Sequence, residues 1–247
     1  MLLHAAGSGP RPLDRFARRL AGPGWSTLAP LLERDGRPLV GQGTDPFAAA
    51  VALAGALIGE APSSPRVLFG HSMGGLVALK AALAGAAADL LVLYEPIVLA
   101  LLDPVSDREP LARDSACIAD FRACMEAGDP EAGVRRFVEA YGDGPWEALP
   151  DRARAALAAR AQSLFAEAEA TNRATLEAAS LDALRAPVLL LSGSRSPEVL
   201  GRMTQRLAGL LPDVHHLVVQ DAGHMGPVTH PEATAAHVAA WCARRLR

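Results

Sequence analysis

The run Phe69-Gly70-His71-Ser72-Met73-Gly74-Gly75 places a serine in a G-x-S-x-G setting, after the apolar stretch Val67–Phe69 and before a run of helix formers from Leu76 onward. A serine held in a strained strand-to-helix turn presents its hydroxyl, and glycines on its flanks leave room for the close approach of neighbouring backbone. The start of the following helix favours negative charge developing nearby. The chemistry implied is nucleophilic attack on an acyl carbon by Ser72. The same letters also describe an ordinary tight turn between two buried elements, so the partners of the serine must decide.

A serine hydroxyl needs a base to act as a nucleophile at neutral pH. Of the seven histidines, His224 sits in Asp221-Ala222-Gly223-His224-Met225-Gly226, after the last strand-like run and before the last helical one. That placement puts it at the same end of a parallel sheet as Ser72. His215 and His216 are adjacent on a strand, so they point to opposite faces and make a poor metal pair. His71 belongs to the serine turn, and His230 and His237 are expected on a helix surface. No metal site is expected. An oxyanion formed at the acyl carbon would need two N–H donors. Met73, next after the serine, should supply one. Ala6, in the glycine-containing loop Leu2-Leu3-His4-Ala5-Ala6-Gly7-Ser8-Gly9, is the best candidate for the other.

Short apolar runs alternate with longer helical ones, which predicts an α/β fold with a mostly parallel sheet flanked by helices. The candidate strands are Met1–Leu3, Ser26–Leu28, Val67–Phe69, Leu90–Tyr94, Val188–Leu191 and His216–Val219. Helices are expected from Asp45-Pro46 through Ile58, with Asp45 as N-cap and Pro46 at the first helical position, and from Gly74 to Ala84. Others open at Ser196-Pro197-Glu198 and at Pro231-Glu232. The alternation stops between residues 96 and 185, where Leu111–Ala127, the run from Asp129-Pro130 to Tyr141-Gly142, and Pro150 to Glu169 read as helices without a strand between them. Residues 1–95 and 186–247 are therefore expected to form the core and 96–185 an inserted helical cap.

The bulk properties agree. A chain of 247 residues can bury one substantial core. Half its residues are hydrophobic and its formal charge is −3, which argues against a nucleic-acid protein. Cys117, Cys124 and Cys242 are odd in number and form no C-x-x-C, so neither a disulfide framework nor a zinc site is indicated. The first residues lack the basic region of a signal peptide, and the charge-free stretch Pro46–Gly59 is too short to span a bilayer. A cytoplasmic protein acting on a small molecule, with no membrane span, is the expectation.

These motifs together resemble the α/β-hydrolase family. The likeness rests on LLHAAGSG, GHSMGG, LLVLYEP, VLLLSGSRSP and DAGHMGPVTHPE, and it covers the chain outside the helical stretch. The order serine then histidine is that of the family. The resemblance implies a mostly parallel sheet, a helical cap over the site, acyl transfer through a serine ester and no cofactor. Two departures stand out. The family's strand pair ahead of the oxyanion loop is not seen before His4, where Met1 stands three residues upstream: either those strands are lacking or the start was assigned too late. The family's usual acid, in a G-x-x-D turn, falls on Ser196 in Gly193-Ser194-Arg195-Ser196. An acid after the preceding core strand is a known alternative in the family, and Glu95 occupies that place. A carboxylate at the end of a buried apolar strand is costly without a partner. Glu198 is the weaker candidate because it reads as part of a helix start. The expected activity is hydrolysis of a small to medium, apolar carboxylic ester by Ser72, His224 and Glu95. A ligand-binding homologue with weak catalysis and a cofactor-free perhydrolase are the alternatives.

Overall fold

A computed structural model describes residues 1–22, 25–62 and 65–246. In chain order the elements are β1 (Leu2–Leu3), α1 (Asp14–Leu20), β2 (Glu33–Arg34), β3 (Arg37–Pro38), α2 (Ala48–Gly59), β4 (Val67–His71), α3 (Met73–Leu83) and β5 (Leu90–Tyr94). Then come α4 (Arg108–Glu126), α5 (Pro130–Tyr141), α6 (Asp151–Ala158) and α7 (Ala161–Asn172), followed by β6 (Val188–Gly193), α8 (Glu198–Leu210), β7 (Val214–Val219), α9 (Gly226–Thr229) and α10 (Pro231–Arg245).

Five strands form one sheet in the order β1-β4-β5-β6-β7, and every pairing is parallel. Alternation along each strand divides its side chains between two cores. Leu3, Leu68, Leu91, Leu93 and Leu190 face the core shared with α2, α3 and α8. Leu2, Phe69, Val92, Tyr94 and Leu191 face the core shared with Phe16 of α1 and Trp241 of α10. Both faces of β4, β5 and β6 are covered, which explains why these strands read as near-continuous apolar runs, whereas the edge strand β7 is exposed or half-buried over most of its length. Helices α4 to α7 fill the interval between β5 and β6, and Phe121, Val134, Trp146 and Leu164 form a separate small core among them.

Two local expectations are corrected, and one hairpin is added to them. Ser26–Leu28 is not a strand: the Leu28 carbonyl accepts a bond from the Leu2 N–H (2.8 Å), but no ladder follows, and Pro30 two residues on has no N–H to extend one. Helix α2 begins at Ala48, not at Pro46. Asp45 instead accepts the Phe47 N–H (2.9 Å) in a local turn, and the Pro46 carbonyl is engaged by the Gly41 N–H (2.8 Å). The hairpin β2–β3 was not anticipated, although Asp35-Gly36 marks it. Both residues have positive φ (53° and 73°), as a two-residue hairpin turn requires.

Candidate active site

The carboxyl ends of the parallel strands bring the predicted residues together, where open α/β sheets characteristically place their ligands. Ser72 follows β4 directly, with φ 58° and ψ −122°. Such a conformation costs a non-glycine residue about 1–3 kcal/mol and persists only where its surroundings impose it. Here the Ser72 N–H donates to the Tyr94 carbonyl (3.0 Å), and the Ser72 carbonyl accepts from Gly75 (2.9 Å) and Leu76 (3.2 Å). The glycines are steric requirements. A Cβ on Gly70 would lie 2.3 Å from the Gly74 carbonyl oxygen, and one on Gly74 would lie 2.5 Å from that of His4. The first turn of α3 is thereby pressed against the end of β1.

Glu95 follows β5 and also has positive φ (42°), a second strained residue beside the first. Its side chain is buried, and each carboxylate oxygen meets an N–H: Oε1 accepts from the Gly193 amide (2.8 Å) and Oε2 from His224 Nδ1 (2.8 Å). With Nδ1 donating, His224 Nε2 is free to accept, and it lies 3.0 Å from Ser72 Oγ. The chain Ser72–His224–Glu95 is therefore continuous, with the histidine in the tautomer that can take a proton from the serine. Glu198, the alternative acid, is elsewhere: its exposed carboxylate faces Arg113 (3.8 Å) and Arg202 (3.6 Å).

Ala6 and Met73 both line the cavity that Ser72 and His224 open onto, and among the described residues neither backbone N–H has a hydrogen-bond partner. Two unengaged donors beside a candidate nucleophile are what an oxyanion would require.

Sequence reasoning did not foresee the groups that hold the His224 loop. His71 Nε2 lies 2.7 Å from the His224 carbonyl. A carbonyl can only accept, so His71 carries its proton on Nε2. Burial, and then the neighbouring His224, bring its pKa down to about 3, so the ring stays neutral. The Tyr94 hydroxyl donates to the Gly223 carbonyl (2.7 Å), and burial raises its pKa. Asp143, after α5, accepts from the Met225 N–H (2.8 Å) and the Thr229 hydroxyl (2.6 Å). Close packing fixes the glycines of this loop, since a Cβ on Gly226 would lie 2.0 Å from the Tyr94 hydroxyl oxygen. The glycine pattern and the adjacent Tyr94-Glu95 pair were the available signals.

The cavity holds about 320 Å³ and is lined mainly by apolar groups, including Ile97, Leu99, Ile118, Phe137, Leu164 and Val228. On the side of α4, α5 and α7, the Tyr141 hydroxyl and the Asn172 amide both donate to the buried Asp114. Burial raises the Asp114 pKa, and those two bonds offset part of the rise. Among the described residues no group of histidine, cysteine and acidic side chains could hold a metal ion, and no helix is long and apolar enough to cross a membrane.

Comparison with known proteins places the chain. The model of a family described as the alpha/beta hydrolase family matches residues 1–237. A pimeloyl-[acyl-carrier protein] methyl ester esterase of Aromatoleum aromaticum is 30% identical over 250 residues, covering 95% of this chain and 94% of that one. Among solved structures, MenH from S. aureus superposes with a TM-score of 0.74 at 17% identity, covering 100% of this chain and 93% of the other. An esterase from Exiguobacterium antarcticum gives 0.75 at 15% identity, with 97% and 90% covered. At those identities the two structures speak to the fold alone.

Proposed function

The chain belongs to the alpha/beta hydrolase family, and from that premise we propose that it is a serine esterase acting on small to medium, apolar acyl esters. The observation that carries this reading is the hydrogen-bonded series Ser72–His224–Glu95, with the serine strained at φ 58° in the wall of an apolar cavity. In the proposed reaction Ser72 Oγ attacks the acyl carbon and its proton passes to His224 Nε2. Glu95 keeps the other ring proton in place and offsets the imidazolium charge. The amides of Ala6 and Met73 receive the oxyanion. His224 then protonates the leaving alkoxide, and a water molecule, activated in the same way, hydrolyses the acyl-enzyme.

The cavity favours an apolar acyl group, because its wall offers few polar partners and desolvating a charged substrate there would cost more than it returned. The methyl ester named for the 30% identical relative is likewise a carboxylic ester, so methyl and nitrophenyl esters of medium acyl chains are the first substrates to assay. The binding-protein alternative has two motives, the short start ahead of His4 and the missing aspartate at position 196; the second bears on the base. It loses that motive with Glu95 bonded to His224. Steady-state kinetics on purified Ser72→Ala and His224→Ala provide the test. Both should lose turnover by orders of magnitude, and to similar extents, because the residues act as one unit. Near-wild-type turnover in either folded variant would overturn the reading.

A further inference from the structure

The loop carrying Ala6 is held from the side of α7. Its Ser8 N–H donates to the Ala5 carbonyl (3.3 Å), closing a four-residue turn with Ala6 and Gly7 at its centre. Gly7 has φ +67° and Ala6 is not among the residues with positive φ, the pattern of a type II turn. In such a turn the central peptide, whose N–H belongs to Gly7, is flipped relative to the commoner type I. That N–H donates to Glu167 Oε2 at 2.7 Å, and the Gly7 carbonyl accepts from Arg160 Nε at 3.1 Å. Arg160 is braced in turn by an ion pair with Glu33. Leu164 closes the third side, since a Cβ on Gly7 would lie 2.8 Å from its Cδ1. One residue upstream of this clamp is the Ala6 amide.

We propose that Glu167 is a positioning residue for hydrolysis: by accepting the Gly7 N–H it holds the Ala6–Gly7 peptide in its flipped orientation and so aims the Ala6 N–H at the oxyanion. The proposal rests on the serine-esterase reading above and adds a residue to it that does not touch the substrate's reacting atoms. The environment of Glu167 is hard to explain otherwise. The side chain is fully buried in α7, and its second oxygen, Oε1, has no hydrogen-bond partner among the described residues. A buried carboxylate with one orphaned oxygen is a poor structural choice, because apolar packing at the same place would avoid the desolvation. The charged groups around it are Arg160 and Glu33, and its pKa is pushed up to about 7, chiefly by burial. Both protonation states keep an acceptor for Gly7, so a neutral amide of the same length can replace the side chain.

The test separates reach from charge. Glu167→Gln keeps the length and the acceptor, while Glu167→Asp keeps the charge but is shorter by one methylene. Each is measured for kcat and KM on p-nitrophenyl butyrate and for Ki against an alkyl trifluoromethyl ketone, whose adduct with serine is a tetrahedral oxyanion. Glu167→Gln should stay within about threefold of wild type. Glu167→Asp and Glu167→Leu should lose about 10–100-fold in kcat with KM within twofold, and Ki should rise in parallel, a smaller effect than removing an oxyanion donor outright. If Glu167→Leu does not fold, the contrast between Gln and Asp still decides. Full kcat in Glu167→Asp, or losses in Gln and Asp alike, overturns the proposal. Ser72→Ala measured beside them distinguishes the two failures: if it is dead while Glu167→Asp is fully active, the esterase reading stands and the positioning role falls, whereas an active Ser72→Ala removes both.

Discussion

Replacing Glu95 by glutamine puts one acceptor oxygen and one NH2 group where two N–H donors now converge. In the native site Gly193 N–H and His224 Nδ1 each lie 2.8 Å from a carboxylate oxygen. The Gly193 amide cannot change its role, so the glutamine oxygen must face it and the NH2 must face the histidine. His224 can accept that contact only by moving its proton to Nε2, the atom 3.0 Å from Ser72 Oγ. The base is then blocked by its own proton. Loss of the carboxylate from a protease triad by the same substitution costs about 10⁴ in kcat, or about 5 kcal/mol in the barrier. We expect a fall of about 10³–10⁴ here, with KM little changed and the fold retained by circular dichroism. Glu198→Gln, assayed alongside on p-nitrophenyl butyrate, should stay near wild type, because that carboxylate is exposed and pairs only with surface arginines. A Glu95→Gln enzyme within tenfold of wild type would refute the tautomer argument, and a crippled Glu198→Gln would redirect it.

Stability offers an independent check on Glu167, whose pKa is raised from 4.5 to about 7 in the folded state. Its contribution is fully present below the unfolded value and is lost as pH rises through 7, so ionising it in the fold costs about 3 kcal/mol above pH 8. Urea unfolding at pH 5 and pH 8 should show wild type losing most of that amount relative to Glu167→Gln, and parallel curves would contradict it. Gly74→Ala drives a Cβ to 2.5 Å from the His4 carbonyl oxygen, and the melting temperature should drop by about 6–12 °C, judged from an overpacking cost near 3 kcal/mol. A shift under 2 °C would mean that the turn yields. On a series of p-nitrophenyl esters, butyrate and longer chains should exceed acetate in kcat/KM, because the wall beyond Ser72 is apolar, and a clear preference for acetate would contradict that cavity assignment.

The layered fold was legible because strands buried on both faces leave uninterrupted runs such as Leu90–Tyr94, and because the glycines flanking Ser72 record a steric need. Ser72 and His224 followed from the loops beyond strand ends and Glu95 from the acid position that the family resemblance implied, and the structure brings all three into one hydrogen-bonded series. What the sequence hid depends on side chains meeting across long separations. Glu167 reaches Gly7 over 160 residues, and Asp143 reaches Met225 over 82, with no local pattern to announce either contact. Of the apolar residues between β5 and β6, Ile118 and Phe137 line the cavity. Phe121 is instead fully buried against Val134 and Trp146, and Leu111 packs on the main core, because helical periodicity identifies an apolar face without saying what covers it. Ser26–Leu28 failed for a related reason: local composition cannot reveal that the segment meets β1 through the Leu2–Leu28 bond without a ladder following.

Covalent trapping tests the nucleophile most directly. The purified protein is treated with an alkyl fluorophosphonate, the adduct is located by peptide mass spectrometry, and residual esterase activity is followed in the same sample. We expect a single adduct on Ser72, loss of activity in proportion to labelling, and no adduct in Ser72→Ala. Unimpaired ester hydrolysis in fully labelled protein, or modification of a different residue that accounts for the lost activity, would contradict the assignment of Ser72.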